Sequence, residues 1–438
     1  MHATFIHTAD NHLGYEQYGL KERFNDFARA FLAVVDAAIE RQADCFLIAG
    51  DLFNKRAIDA LTLMQAQEGL QRLKAAGIPA IAIEGNHDRS YYRDGVSWLQ
   101  FLCWQGLLQL LNPLVNDAVP VLSPWDPQTL RGAYVDLKEG RLRIYGLPWY
   151  GASTARIMEN FAHELQVARE QGREPGVEYR VLLMHTGVDG IVPHMHGLPS
   201  YEQFQPLREL VDYVGLGHIH KHYVRDNWLY NPGSTETWGA EESAWERGYN
   251  VVQVDTGVPK EELYHHVEHV VNPRRPFLRY LFRVDGLSEP TLLYERFDRM
   301  CYQWATESRG ELVQAGAEPV IDIGMIGVLS FSNDAIEKPR LEEIVRSYFQ
   351  PLTVRIHDGT RDTEFDPLGG DESDGRDRST WQQLEVHIFQ ELLSRDARYL
   401  QNAPQWAQVL SSLKQMALSG DEPSSIAQHL REARSKLL

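Results

Sequence analysis

Eight side chains in this sequence have the types and spacing for metal-assisted hydrolysis. They are Asp10 and His12, Asp51, Asn86 and His87, His185, and His218 with His220. Each cluster follows an apolar run: Ala3 to Ile6, Cys45 to Ile48, Ile78 to Ile83, Arg180 to Met184, and Tyr213 to Gly217. Short apolar runs of this kind read as buried strands. In open α/β sheets, ligands gather beyond the carboxyl ends of the strands. An acid such as Asp51 at that point contributes little to stability and is well placed for a cation. A lone histidine near a strand end is more often structural; five clusters in strand-end order are a different matter. Carboxylate, imidazole and amide oxygen without thiolate suit manganese, iron or zinc. The donors outnumber what one ion needs. A carboxylate shared between two ions is the usual centre of a phosphoester-cleaving site, and Asp51, on a central strand, is the natural bridge.

The elements between the clusters are legible too. Glu22 to Gln42 has helical spacing, with Phe24, Phe27, Phe31, Val34, Val35 and Ile39 on one side, and Ala60 to Ala76 is a second helix. Strand, helix, strand, helix, strand implies right-handed βαβ units and a largely parallel start to the sheet. Arg141 to Leu147 reads as a strand and Thr154 to Arg169 as a helix. Tyr249 to Asp255 and Tyr264 to Val271 read as later, antiparallel strands. Trp98 to Val115 is the most membrane-like stretch, but Gln100, Gln105 and Gln109 interrupt it, so it reads as buried helix. Beyond Asn272 a small α+β unit follows, with helices over 289–310 and 337–349 and strands over 319–331 and 351–356. Residues 357–378 hold eight acids, three bases and four glycines, the composition of a mobile linker. Trp381 to Ser394, Trp406 to Leu418 and Ile426 to Leu437 are helical in pattern.

At 438 residues, with 43% hydrophobic residues, the chain has room for two or three units. The three cysteines are far apart and form no C-x-x-C, so neither a disulfide framework nor a thiolate metal site is indicated. With no basic n-region before the first strand, a reducing cytoplasm is the expected compartment. The net charge of −18 argues against a general nucleic-acid binder. It does not argue against an enzyme that reaches phosphates through bound cations.

Taken together, Asp-x-His, Gly-Asp, Gly-Asn-His-Asp, a later strand-end histidine and Gly-His-x-His resemble the calcineurin-like metallophosphoesterase superfamily. Asp10 to Tyr15, Ala82 to Arg89, and Leu216 to Lys221 with Asn231 to Ser234 resemble its SbcD / Mre-eleven branch of DNA double-strand-break repair nucleases. The resemblance is specific over residues 1 to about 255, looser over 272–357 and weak beyond. It implies a four-layer α/β/β/α nuclease domain (1–271) and a capping, DNA-binding domain (272–357). An acidic linker (358–379) and a helical segment (380–438) docking an SbcC-type SMC-like ATPase would follow. It further implies two Mn2+ ions, with Mg2+, Fe2+ or Zn2+ as other divalent occupants. Asp10, His12 and His220 would hold one, Asn86, His185 and His218 the other, with Asp51 bridging. His87 would face the scissile phosphate and protonate the leaving oxygen. Asp88 would support these residues from behind. A homodimer through Glu22 to Gln42 and Trp98 to Leu111 is also implied.

One position departs from the pattern. Three residues after the bridging acid, relatives carry Asp or His, and this chain carries Asn54. The expectation is that the Asn54 amide orients His87 without supplying a negative charge. Lys55, Arg56, Arg89 and Arg93 follow the two metal loops and are candidate phosphate-backbone contacts. His2 and His7 read as packing residues, His222 as a supporting residue at most, His194 and His196 as a surface loop, and His265, His266 and His269 as a chance cluster. The alternative function is a small-molecule phosphodiesterase or phosphomonoesterase of the same superfamily, which would need neither cap nor helical tail. A scaffold that lost the chemistry is disfavoured by the complete donor set.

Overall fold

The structure is a computed structural model. It describes residues 1–90, 95–193, 195–258, 264–362, 386, 388–390, 392–394, 399–418 and 423–437. Residues 1–363 form one unit and 364–438 another.

The first sheet is built from β1 (His2–Thr8), β2 (Cys45–Ile48), β3 (Ala80–Ala82) and β4 (Gln109–Leu110), linked by α1 (Lys21–Glu40), α2 (Ala60–Ala75) and α3 (Trp98–Trp104). These four strands run parallel in sequence order. After a small hairpin, β5 (Val115–Asn116) with β6 (Val119–Pro120), the chain builds a second sheet. It uses β7 (Tyr134–Leu137), β8 (Leu142–Leu147), β9 (Tyr179–His185), β10 (Tyr213–Gly217), β11 (Tyr223–Arg225) and β12 (Leu229–Asn231), with α4 (Thr154–Glu170) and α5 (Tyr201–Phe204) between them. The chain then returns to the first sheet. β13 (Gly248–Asp255) pairs antiparallel with β1, and β14 (His265–Val271) antiparallel with β13.

The strands read as unbroken apolar runs because both faces are buried. Phe5, Leu47, Ile81, Ile144, Val181 and Tyr213 fill the space between the two sheets. Ile6, Phe46, Ile48 and Ala82 pack on Phe31, Val35 and Leu70 of the helices. The outer face of the second sheet, with Leu182, Met184 and Val214, packs on Ile157, Phe161 and Leu165 of α4. Layer order is therefore helices, sheet, sheet, helices, the four-layer arrangement expected.

A smaller part with its own core follows. It runs β15 (Phe277–Arg283), α6 (Pro290–Glu307), α7 (Arg309–Ala315), β16 (Val320–Leu329), α8 (Lys338–Phe349) and β17 (Thr353–Asp362). Its three strands are parallel, and Phe282, Phe297, Trp304, Ile323 and Val345 lie in its interior. In the second unit, α9 (Ala403–Leu418) and α10 (Pro423–Leu437) form a helical pair in which Asn402 Nδ2 donates to Leu437 O at 2.9 Å. Of 381–394, only 386, 388–390 and 392–394 lie among the described residues, and these are helical. No helix among the described residues is long and apolar enough to cross a membrane.

Three expectations change. Trp98 to Val115 is not one helix: α3 ends at Trp104, and Gly106, at φ 64°, turns the chain into β4. Leu107, Leu108, Leu110 and Leu111 stay buried, so the apolar pattern continues while the backbone does not. Strand β15 is absent from the sequence reading. Strand β17 runs to Asp362, into the stretch expected to be linker, because it pairs along its whole length with β16. Residues 363–379 lie outside the described residues.

Candidate metal centre

The strand ends meet at one edge of the sandwich. There the backbone adopts conformations that side chains normally avoid. Asp10, His12, Asp51 and His218 have φ of 51°, 48°, 51° and 89°. Each costs on the order of 1–3 kcal/mol and persists only where its surroundings over-determine it. Interlocked turns do so here. Asp10 N–H donates to Gly50 O (3.1 Å), His12 N–H to Asp51 O (3.1 Å) and Leu13 N–H to Leu52 O (2.8 Å). Buried Asp88 ties two loops together, accepting from the N–H groups of Leu52 (3.3 Å), Phe53 (3.0 Å) and Gly85 (3.0 Å). Gly85 is glycine for space: a Cβ there would sit 2.0 Å from Asp51 Oδ1.

Two points of convergence result. At the first, His12 Nε2 and His220 Nε2 are 3.0 Å apart, and both lie with Asp10 in one potential ligand group. At the second, Asn86 Oδ1 lies 3.1 Å from His185 Nε2 and 3.0 Å from His218 Nδ1. Asp51 reaches both: its Oδ2 is 3.2 Å from His185 Nε2, and it groups with His12 and His87 on the other side. Hydrogen bonds behind the rings set their tautomers. His220 Nδ1–H donates to Glu242 Oε1 (2.7 Å), and His185 Nδ1–H to Ala49 O (2.8 Å). Each ring therefore turns Nε2 towards the cleft, where the neighbouring groups are acceptors. His12 Nδ1 is buried without a partner. Acceptors facing acceptors are what a cation satisfies, so the residues present fit divalent metal ions.

His87 stands at the mouth of this arrangement, its ring 5.0 Å from that of His12. Its Nδ1–H donates to Asn54 at 2.7 Å, but the acceptor is the main-chain carbonyl, not the side-chain amide that the sequence suggested. The Asn54 amide oxygen instead accepts from Trp238 Nε1–H at 3.0 Å.

The calcineurin-like phosphoesterase family model matches residues 3–222. The chain belongs to the calcineurin-like phosphoesterase family. The chain is also similar to curated proteins named DNA double-strand break repair protein Mre11. That of Archaeoglobus fulgidus is 32% identical over 247 residues, 55% of this chain and 52% of that protein. That of Methanosarcina acetivorans is 28% identical over 290 residues, covering 65% and 41%. That of Methanococcus maripaludis is 46% identical over 84 residues, covering 19% and 23%. The chain spans about half the length of the curated relatives it matches.

The electrostatics suit a calcineurin-like phosphoesterase. Burial pushes the Asp10 carboxyl up to about 6, although His185 and His220 pull it down. Burial, then the charge of Asp51, push Asp88 up to about 7. Burial would lower His185, but the Asp51 carboxylate reverses that and raises it to about 9. Burial works against Asp51 too, yet His185 and His12 leave its carboxyl well below the usual range. A proton on His185 and a metal ion thus compete for the same lone pair.

The sequence reading missed three residues of this family member's site. Glu242 holds His220, and buried Arg247 holds Glu242, with Nη2 3.1 Å from Glu242 Oε2. Trp238 lies against the rings of His12 (6.1 Å) and His220 (5.7 Å). No spacing rule marks a glutamate in a 3-10 turn or a tryptophan in the loop before it. Among the bases, Lys55, Arg56 and Arg89 are exposed; Arg56 donates to Asn86 O (3.2 Å) and Arg89 stacks over Trp149 (5.5 Å). Arg93 and His194 lie outside the described residues. His7 is a core residue, with Nδ1 2.8 Å from Tyr213 OH and Nε2 3.1 Å from Leu216 O. His222 stacks on His269 at 3.7 Å, and its Nδ1–H donates to Asn231 O at 3.0 Å.

Proposed function

We propose that this chain is a divalent-metal-dependent nuclease that hydrolyses phosphodiester bonds at DNA ends in double-strand-break repair. The observation that carries this reading is the pair of donor convergences sharing Asp51. Asp10, His12 and His220 would hold one ion, Asn86, His185 and His218 the other, and Asp51 both. Oxygen and imidazole donors accommodate Mn2+, the ion we propose. Bound ions would polarise the phosphoryl oxygens and favour ionisation of the attacking water.

The protein's own groups do the rest. His87, with Nδ1–H committed to Asn54 O, would turn Nε2 to the leaving oxygen, and its cationic form, with a second proton on Nε2, would hand that proton over and keep the one on Nδ1. Asp88 keeps the Asp51 and Asn86 loops in register. The 272–362 part would cap the cleft and contact DNA. The helical segment that follows residue 380 would dock an SbcC-type ATPase. This reading entails a cytoplasmic protein. For a homodimer, the apolar side of α1 is already used, since Phe27, Phe31, Val34 and Val35 are buried in the chain's own core. Leu61 and Met64 on α2, and Trp104 at the end of α3, are exposed and available.

The test is cleavage of end-labelled duplex DNA and of a chromogenic phosphodiester with manganese. The duplex should be cut, Asp51→Ala should abolish both activities, and His87→Gln should lower turnover about 100-fold while manganese still binds. Activity that survives Asp51→Ala, or turnover of the small ester alone, would overturn the proposal.

A further inference from the structure

We propose that Trp238 is a positioning residue for His87 and that it acts through Asn54. The inference rests on the functional reading only in naming His87 as the proton-handling group. Asn54 is buried and offers two oxygens, used on opposite sides. Its main-chain oxygen accepts the His87 Nδ1–H at 2.7 Å, and its amide oxygen accepts the Trp238 Nε1–H at 3.0 Å. A side chain that reached His87 directly would set the imidazole by its own rotamer. Here the acceptor is a peptide carbonyl, so the imidazole follows the peptide plane. The residue that carries this carbonyl has two anchors, its N–H, in the preceding peptide plane, on Leu13 O (3.0 Å) and its side chain on Trp238. Removing the indole N–H leaves one anchor and a buried amide oxygen without a donor.

Trp238 is itself held firmly. Its carbonyl accepts from Gln17 Nε2 at 2.8 Å, and Gln17 Oε1 accepts from Arg23 Nε at 2.8 Å. Arg23 is fully buried and also donates to Glu236 Oε1 and Thr237 O, each at 3.1 Å, the residues just before Trp238. With its donors spent on Gln17, Glu236 and Thr237, the Arg23 guanidinium fixes the relative positions of the chain segments on either side of Trp238. The indole ring lies against Tyr15 at 5.5 Å. None of Gln17, Arg23 and Glu236 belongs to the candidate metal donors, so this frame is built from side chains outside the metal centre. The sequence departure at Asn54 and the tryptophan at 238 are then one device: the amide gives up the imidazole to take the indole, and the carbonyl takes over.

The experiment compares the full chain with Trp238→Phe, Asn54→Leu and the double variant, with manganese, on a chromogenic phosphodiester and on duplex DNA. Trp238→Phe keeps a ring and loses the N–H. It should lower kcat about tenfold, the effect of one hydrogen bond, and lower the melting temperature by a few degrees for the buried oxygen left without a donor, with KM and calorimetric manganese affinity unchanged. The double variant should be no slower than Asn54→Leu alone, because the two residues act in series. A second readout does not need turnover. In 15N-histidine-labelled protein the His87 Nδ1–H resonance, assigned by its loss in His87→Gln, should broaden through faster exchange in Trp238→Phe. Additive kinetic effects, or a His87 N–H signal unmoved in Trp238→Phe, would overturn the inference. If Trp238→Phe does not fold, Asn54→Leu must loosen the same N–H, and an unmoved signal there has the same consequence. If the unmodified chain cleaves no phosphodiester while the resonance moves, the functional reading fails and the positioning role stands.

Discussion

Glu242 is a carboxylate that never faces the cleft and still decides what happens in it. By accepting the His220 Nδ1–H it fixes the tautomer that turns Nε2 towards Asp10 and His12; burial lowers the basicity of that ring, but the hydrogen bond and charge of Glu242 outweigh it and raise it. Glu242→Gln keeps the shape and removes the charge. Manganese affinity, measured by titration calorimetry, should fall about tenfold or more, the usual loss when such a supporting carboxylate goes. Unchanged affinity would show that His220 is oriented by the backbone alone. Glu242 also marks where reading the sequence stops. The donors were legible because each follows an apolar strand directly, and chain order then fixes which edge they share. Glu242 lies 22 residues beyond its partner, beside a second glutamate, Glu241, and only the folded loop decides which of the two arrives. The turn of Asn54 towards Trp238 was hidden for the same reason: residue type gave an amide near an imidazole, while the choice between amide and carbonyl depends on a residue 184 positions away.

Elements were legible where period and burial agree. Helix α1 and strands β1, β2, β9 and β10 came out within a residue or two, because one apolar stripe or one run feeds one layer. Trp98 to Val115 failed because it supplies apolar residues to a helix and then to a strand, and hydrophobicity is blind to that change. The side-chain ties between distant elements were not legible. Asp26 of α1 accepts from Arg23 Nη1 (2.8 Å) and from Arg275 Nε (2.7 Å), which precedes β15 and also donates to Glu318 O. Burial opposes ionisation of Asp26, but hydrogen bonds from Arg275 and Arg29 and the charge of Arg23 prevail and hold it below its ordinary 3.8. A carboxyl lowered in the folded state stabilises the fold above its unfolded value, and the contribution is lost as pH falls through the folded one. Asp26→Asn should therefore cost about 3 kcal/mol at pH 7, the scale of a broken buried pair. The cost should shrink at pH 3, below the ordinary carboxyl value of 3.8, where the unfolded chain's Asp26 already binds a proton. Urea unfolding at the two pH values checks this, and an equal cost at both would assign the effect to packing.

Over the whole molecule, the net charge of −18 sets a problem for an enzyme proposed to act on DNA. Long-range attraction is absent, so affinity has to be local: the bound cations in the cleft and the few bases on its rim. The bases are not equivalent. Arg56 donates to Asn86 O and so also braces the loop of a candidate ligand. Lys55 and Arg89 are exposed on the same two loops. If they contact phosphates, each contributes about 0.9 to the dependence of log affinity on log salt. Reversing both, Lys55→Glu with Arg89→Glu, should weaken duplex binding and flatten the salt slope by about 1.8, measured by anisotropy in a His87→Gln background. Turnover of a chromogenic phosphodiester in the His87 wild-type background should stay within about twofold, since a small ester does not reach the rim. A salt slope unchanged by the double reversal would place these two side chains in solvent. The charge that draws DNA would then lie in the metal ions alone, and affinity should disappear with chelation.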